Sequence, residues 1–113
     1  MNKTSDEQLK VQIPSGKEAI VLELLLQRSS REMYGLELVR DSANRLKRGT
    51  IYVTLDRMET KGLVQSRLEY EKTDEKSLPR RLYRVTGFGQ RVYEAWQLAR
   101  QAFSLRSAPG VNP

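Results

Sequence analysis

Residues 47–64 constrain the fold of this chain more than any other part of the sequence. Ile51, Leu55 and Met58 recur at i, i+4 and i+7, which is the spacing of one apolar stripe along a helix. Gly62 follows where a helix commonly ends on a residue in the left-handed conformation. The stretch therefore predicts a short helix that packs on one face and leaves the other faces in solvent.

This helix, predicted over about residues 49–61, carries polar and basic side chains away from its apolar stripe. They are Thr50, Tyr52, Thr54, Arg57 and Lys61, with Lys47 and Arg48 at the start of the helix. A helix with one packed face and one basic, hydrogen-bonding face suits the major groove of DNA. An ordinary solvated helix shows the same pattern, so the helix by itself leaves both interpretations open.

Composition narrows the range of functions. The chain has 113 residues, which favours one domain, and it contains neither cysteine nor histidine. Disulfides, thiolate and imidazole metal sites and the usual histidine base of acyl transfer are therefore excluded. We expect no enzyme activity, no cofactor and no metal.

The same composition bears on location. No run of about 18 apolar residues is present, so no membrane span is expected. The first 11 residues are polar and show no secretory signal. A cytoplasmic protein is therefore expected.

The positive charge of the chain is concentrated in its second part. Residues 1–44 carry six basic and seven acidic side chains, whereas residues 45–113 carry fourteen basic and seven acidic. A basic segment favours a polyanionic partner, either nucleic acid or an anionic membrane surface. No basic amphipathic terminal helix stands out, so we expect double-stranded DNA as the partner and no membrane.

Two more helices are predicted before residue 47. Pro14 and the capping-box pattern from Ser15 to Glu18 begin a helix that runs to about residue 28. That helix is apolar on most sides, as a core helix or a dimer surface would be. A second helix is expected over residues 33–42, where Gly35 permits close helix packing. A short link over residues 43–47 joins this second helix to the helix over residues 49–61. Two helices joined in this way form a helix-turn-helix, whose later helix reads DNA.

After Gly62 the apolar pattern changes to a period of two. Residues 64–70 and 82–85 are predicted strands on either side of a charged loop, which makes a β-hairpin. A hairpin directly after a helix-turn-helix is a wing. Four of its basic side chains can reach the DNA backbone or minor groove: Lys72, Lys76, Arg80 and Arg81. Acidic residues in the loop offset the positive charge of Lys72 and Lys76, so Arg80 and Arg81 are the stronger candidates for DNA contact.

The last predicted helix begins after Thr86 and runs to about residue 105. Its apolar stripe, spaced i, i+4, i+7 and i+11, consists of Val92, Trp96, Ala99 and Phe103. An adjacent stripe makes the apolar face wider than a small domain needs to cover, which is typical of an interface. We therefore expect a homodimer through this helix; the alternative is a helix that folds back over its own core.

The predicted organisation has four parts. They are a flexible N-terminal arm (1–13), a winged helix-turn-helix DNA-binding domain (14–85), a dimerisation helix (86–106) and a disordered tail (107–113).

Five motifs in a fixed order resemble the PadR-like transcription regulators. They are Met33-Tyr-Gly-Leu-Glu-Leu38, Arg48-Gly-Thr-Ile-Tyr-Val-Thr-Leu-Asp-Arg-Met-Glu59, Lys61-Gly-Leu-Val64, Pro79-Arg-Arg-Leu-Tyr-Arg-Val-Thr86 and Val85-Thr86-Gly-Phe-Gly89. The resemblance covers about residues 17–103. Val53 departs from it, because the family usually has proline there. That position lies in the first helical turn, so valine preserves the helix.

The resemblance implies a mainly α fold with a two-stranded β-wing, in which one C-terminal dimerisation helix follows a winged helix-turn-helix. It also implies a sequence-specific, homodimeric repressor that binds an inverted-repeat operator. Relatives of this kind can bind flat aromatic ligands between the protomers, where facing tryptophan rings can stack, and Trp96 is the candidate for that role in this chain. Simple packing is the alternative for this tryptophan, and a winged-helix protein–protein interaction module without DNA binding is the alternative function.

Carried onto this chain, the resemblance places the third helix in the major groove. Thr50, Tyr52, Thr54 and Arg57 are then expected near bases or phosphates, with Lys47 and Arg48 on phosphates at the helix N-terminus. Two of these residues have other interpretations. The ring of Tyr52 can pack on the second helix, and Arg57 can form an ion pair within the chain.

Overall fold

The computed structural model describes residues 13–70 and 79–107, which form four helices and three strands. In chain order these are α1 (Gly16–Gln27), β1 (Glu32–Tyr34), α2 (Gly35–Asp41), α3 (Ile51–Thr60), β2 (Val64–Glu69), β3 (Arg80–Val85) and α4 (Gly87–Ser107). The strands make an antiparallel sheet in the order β1-β3-β2. The predicted mainly α fold with a β-wing is confirmed, and β1 adds a third strand.

Parts of the predicted organisation lie outside the described residues. They are residues 1–12 of the arm, residues 108–113 of the tail and residues 71–78 of the wing loop, which include Lys72 and Lys76. The hairpin of β2 and β3 is the predicted wing. Its register pairs Val64 with Val85 and Glu69 with Arg80.

Strand β1 occupies the place where the second helix was predicted to begin. Met33 pairs with Tyr83 of β3 and is buried, so this short segment extends the sheet rather than a helix. Helix α2 begins at Gly35, with Tyr34 in the N-cap position. The prediction of a helix from residue 33 was therefore wrong by two residues.

The physical reason lies in the turn before β1. The Ser30 hydroxyl donates to the Glu32 carbonyl oxygen at 3.2 Å and accepts from the Glu32 N–H at 3.3 Å. The serine therefore closes a turn and caps no helix. At the start of α2, the hydrogen-bonding need of the Tyr34 N–H is met by Glu37, whose carboxylate accepts from it at 2.9 Å.

Helix α1 is the centre of the core. The Ser15 hydroxyl accepts from the Glu18 N–H at 3.2 Å, and the Glu18 carboxylate accepts from the Ser15 N–H at 3.0 Å, so the predicted capping box is confirmed. Val21, Leu22 and Leu25 are fully buried, and α1 contacts the other three helices and β3. This helix is therefore a core helix, and Ile20, Leu24 and Leu26 are partly buried against the same core.

The carboxylate of Glu18 joins the start of α1 to the end of α3. Glu18 is 0% exposed, and its oxygens lie 2.9 and 3.1 Å from Lys61 Nζ and 3.5 Å from Arg57 Nε. Burial alone would raise the pKa of this carboxyl. The hydrogen bonds from Lys61 and from the Ser15 N–H, with the charges of Lys61 and Arg57, outweigh burial and lower the pKa. A buried charge is tolerated here because it is paired and hydrogen-bonded.

The turn that terminates helix α3 lies at Gly62, as predicted. Gly62 has a φ of 80°, and its N–H donates to the Glu59 carbonyl at 3.0 Å. The Leu63 N–H donates to the Met58 carbonyl at 2.9 Å. These two bonds form a Schellman motif, which satisfies carbonyl groups at the end of the helix and turns the chain into β2.

The first turn of α4 rests directly on that turn. Thr86 caps α4 by accepting from the Gly89 N–H at 2.9 Å, and its own hydroxyl donates to the Gly62 carbonyl at 2.6 Å. A Cβ atom at residue 89 would lie 2.1 Å from the Leu63 carbonyl oxygen, so only glycine fits. This contact fixes the direction in which α4 leaves the core.

The two halves of α4 have different surroundings. Val92 and Tyr93 pack in the core, whereas Leu98 and Phe103 are 68% and 71% exposed. The second half therefore does not fold back over the core. Val92, assigned to the dimer surface from its spacing, is only 6% exposed and belongs to the core of its own chain. None of the described helices is both long enough and apolar enough to cross a membrane.

Replacing Glu18 with glutamine is expected to destabilise the fold and to reduce its sensitivity to acid. The folded state lowers the pKa of Glu18, so the ion pair contributes stability above the ordinary value of 4.5. That contribution is lost as the pH falls through the lower pKa of the folded state. At about pH 7 we expect the free energy of unfolding to fall by about 1–3 kcal/mol, because the amide leaves Lys61 without its counter-charge.

Urea unfolding between about pH 7 and pH 3 checks this expectation. Glu94→Gln, at an exposed position on α4, is the matched control and should behave like the unmodified protein. The interpretation is contradicted if Glu18→Gln loses as much stability on acidification as the unmodified protein does.

Candidate nucleic-acid interface

The predicted packing of α3 is confirmed. Ile51, Leu55 and Met58 are at most 1% exposed and belong to the core. The exposed side chains of the helix are therefore the ones available to a partner. They are Tyr52, Val53, Asp56, Arg57, Glu59 and Thr60.

Thr54 is absent from that exposed set. It is 3% exposed, because it follows Ile51 by three residues and so falls beside the apolar stripe. Its hydroxyl donates to the Thr50 carbonyl at 3.2 Å, so its hydrogen-bonding need is met within the helix. The structure does not offer Thr54 to a partner, in contrast to the sequence expectation. Thr50 is exposed, and its side chain makes no capping hydrogen bond.

Tyr52 packs on α2 and also remains accessible. A Cβ atom on Gly35 would lie 2.7 Å from Tyr52 Cε1, so the ring rests directly on the backbone at the start of α2. The close approach predicted at Gly35 is therefore made by this ring. Tyr52 is nevertheless 46% exposed, so packing orients it without removing it from the surface.

Arg57 and Lys61 both pair with Glu18. The ion pair within the chain that was the alternative for Arg57 is present, at 3.5 Å. About half of the Arg57 side chain is still exposed, and about a third of the Lys61 side chain. Both cations are therefore held near the C-terminal end of α3 with part of their charge balanced.

The loop before α3 holds Lys47 and Arg48 at the start of that helix. Leu46 is buried, and its N–H donates to the Ser42 hydroxyl at 2.9 Å. That hydroxyl donates in turn to the Val39 carbonyl at 2.8 Å. The two cations that follow Leu46 are exposed. Ser42 was not predicted as a positioning residue, because its role depends on a local turn outside the helices and the helix pattern does not mark it.

The root of the wing is tied to α3 by a chain of side-chain hydrogen bonds. Arg81 Nη1 donates to the Ser66 hydroxyl at 3.0 Å, and that hydroxyl donates to the Glu59 carboxylate at 2.8 Å. These bonds connect β3, β2 and α3 in turn. Arg81 is exposed and stands on the surface of the wing at a position fixed relative to α3.

Arg80 and Tyr34 interact beside that chain. The Arg80 guanidinium lies 5.3 Å from the centre of the Tyr34 ring, within the range of a cation–π contact. The Tyr34 hydroxyl donates to Glu69, and this bond is the main reason that the pKa of Tyr34 is raised. The hydroxyl therefore stays protonated and holds β1 to β2 across the sheet.

A groove of about 540 Å³ joins these parts of the surface. It lies between the start of α2, the first turn of α3 and the start of β3, and it is lined by Tyr34, Leu36, Glu37, Tyr52, Pro79, Arg80 and Arg81. Three of the predicted contact residues thus meet along one groove: Tyr52 of α3 and Arg80 and Arg81 of the wing. The combination of tyrosines and arginines suits a phosphate backbone.

Comparison with known proteins identifies the family. Residues 21–95 match the model of the transcriptional regulator PadR-like family. A search of the curated proteins gives no significant sequence match. Among similar solved structures is a PadR family transcription regulator from Clostridium difficile R20291. It is 23% identical with a TM-score of 0.61, and the match covers 81% of this chain and 98% of that one.

Two more distant structures share the fold. Bacillus subtilis PadR, solved in complex with operator DNA, is 17% identical with a TM-score of 0.59; the match covers 80% of this chain and 59% of that one. Bordetella bronchiseptica BpsR, whose DNA binding is regulated by 6-hydroxynicotinic acid, is 16% identical with a TM-score of 0.63. That match covers 95% of this chain and 77% of BpsR.

The family model spans most of the core, the wing and the first half of α4. The winged-helix fold and the order of the five sequence motifs agree with that match. This chain belongs to the PadR-like family of transcriptional regulators.

Proposed function

We propose that the protein is a homodimeric repressor that binds an inverted-repeat operator through α3 and the wing. The observation that carries the proposal is the division of α3 into a buried apolar face and an exposed face, with Lys47 and Arg48 at its N-terminus. In this proposal the bound dimer represses transcription by excluding polymerase from the DNA that it covers. A cytoplasmic location is part of the proposal.

The groove between α3 and the wing sets the proposed contacts. Helix α3 enters the major groove, while Lys47, Arg48 and Tyr52 contact phosphates beside it. Arg81 contacts the backbone from the wing. Arg57 supplies a further cation, at the cost of loosening its contact with Glu18. Thr54 is left out of this interface because its side chain is buried.

Binding should be specific and should depend steeply on salt. We propose fluorescence-anisotropy titrations with the protein's own upstream promoter and with a scrambled duplex of equal length. If roughly six to ten phosphates are contacted, affinity should fall by about 10³ to 10⁵ between 50 and 200 mM salt. Arg48→Ala should weaken binding to both duplexes and reduce the salt slope by about 2, because each of the two protomers loses one phosphate contact.

The matched control for this titration is Arg91→Ala, which removes an exposed cation of α4 that has no place in the interface. It should leave the salt slope unchanged. Equal and weak binding to both duplexes would contradict specific recognition of this promoter. No binding to either duplex at low salt would overturn the proposal and favour the protein–protein interaction module.

The exposed half of α4 supports a homodimer. Leu98 and Phe103 are large apolar residues that are more than two-thirds exposed, and Ala99 is exposed between them. Gln101 lies on the other side of the same stretch, in a groove that also contains Glu23 of α1. The apolar side of α4 is thus exposed to solvent and accessible to a second copy, whose two-fold symmetry would match an inverted repeat.

Charges placed on this surface should separate the protomers. In the Leu98→Asp/Phe103→Asp double variant we expect dimerisation to weaken by at least about 100-fold, because a carboxylate buried at an apolar interface has no partner. Sedimentation equilibrium measures the change. Gln101→Asp adds a charge to the polar side of the same helix and should remain dimeric. A double variant that still dimerises would contradict the assignment of this surface.

We propose that a small planar aromatic effector binds at Trp96. Trp96 is half-buried, with the Tyr93 ring centre 5.8 Å away and the Arg100 guanidinium 4.8 Å from its own ring centre. The surroundings therefore offer stacking and a positive charge. BpsR, which shares the fold, is regulated by an aromatic acid. The alternative is that Trp96 only packs at the interface.

Fluorescence separates these two roles, because Trp96 is the only tryptophan. A panel of planar cationic dyes and aromatic carboxylates should include compounds that quench its emission saturably and weaken operator binding. Free N-acetyltryptophanamide is the control for nonspecific quenching. If no compound changes the emission of the protein, Trp96 is a packing residue only.

A further inference from the structure

The centre of the exposed face of α3 holds Val53, which did not belong to the predicted contact set. Val53 is the third residue of α3 and is 63% exposed. Successive residues of a helix are rotated by roughly 100°. Val53 therefore lies almost opposite the stripe formed by Ile51, Leu55 and Met58, and it points straight away from the core.

Val53 contributes little to the fold from this position. A β-branched side chain has a lower helix propensity than most straight-chain residues, and this one buries little surface against the rest of the chain. Its place in the first turn matters, since the N-terminal residues of a recognition helix are the ones that contact base edges. The apolar feature of the major groove is the C5-methyl group of thymine, which small apolar side chains contact.

Asp56 shows which part of the DNA this face can approach. It lies on the same face one turn after Val53, is exposed, and forms no ion pair with any residue in 13–70 or 79–107. A carboxylate is repelled by phosphates, so this face cannot rest on the backbone. Inside the major groove, however, the amino group of cytosine donates to carboxylates. The face centred on Val53 and Asp56 therefore fits base edges.

The cations stand at the border of this face. Lys47 and Arg48 precede the helix, and Arg81 projects from the wing root that Ser66 and Glu59 hold against α3. A helix that places these three residues on phosphates presents its outward centre to the floor of the groove. Charge at the border and an apolar side chain at the centre are the arrangement expected of sequence readout.

We propose that Val53 is a specificity-determining residue, which contacts the C5-methyl group of one thymine in each half-site. This inference rests on the proposed DNA-binding function and adds the base feature that α3 recognises.

The test removes the methyl group from the DNA and the side chain from the protein. The probe is the duplex that the full-length protein selects from a random-sequence library. Each thymine is replaced in turn by deoxyuridine, which lacks only the methyl group. One position per half-site should weaken binding by about fourfold, the effect of one buried methyl group.

The Val53→Ala variant should bind the thymine duplex more weakly and should no longer distinguish thymine from deoxyuridine at that position. A double-mutant cycle of protein and DNA gives the coupling between the two groups. Thr60→Ala, at the last residue of the same helix, is the matched control and should keep the discrimination. Circular dichroism checks that both variants fold.

Two results would overturn the proposed role of Val53 without overturning the proposed DNA-binding function. They are a wild-type protein that binds its selected duplex tightly but tolerates every deoxyuridine, and a Val53→Ala variant that retains the discrimination. Either result leaves specific DNA binding intact. If the selection yields no duplex that binds better than a scrambled one, the proposed function fails first, and the role of Val53 fails with it.

Discussion

The ion pair between Glu18 and the end of α3 is the interaction on which the functional surface depends. An apolar stripe such as Ile51, Leu55 and Met58 holds a helix against a core but does not strongly fix its rotation, because apolar contacts are not directional. Hydrogen bonds from Lys61 to a buried carboxylate are directional. They set the rotation of α3, and with it the identity of the side chains that face outward.

The same helix is connected to the wing and to α4 by short chains of polar contacts. Glu59, Ser66 and Arg81 link it to the wing, and the Thr86 hydroxyl links the turn at Gly62 to the first turn of α4. These bonds join the wing and the first turn of α4 directly to α3. In a dimer built on α4, the angle between the two helices would set the spacing of the two recognition helices, so a ligand at Trp96 could act on DNA binding through that angle.

Local sequence signals were sufficient where the structure depends on neighbouring residues. The capping box at Ser15 and the Schellman turn at Gly62 followed directly from short patterns. Strand β1 was missed because it has three residues and depends on Met33 pairing with Tyr83, a contact between distant segments. Residue type was a poor guide to exposure at two positions of α3, because Thr54 is polar yet buried and Val53 is apolar yet exposed. Helical position decided both cases.

An NMR titration of the isotope-labelled protein with its selected duplex would show whether the outward face of α3 enters the major groove. We expect the largest amide shift changes on residues 47–57 and on residues 80 and 81, while residues 97–104 change little. Changes concentrated on the exposed half of α4, with α3 unaffected, would mean that α3 does not enter the groove.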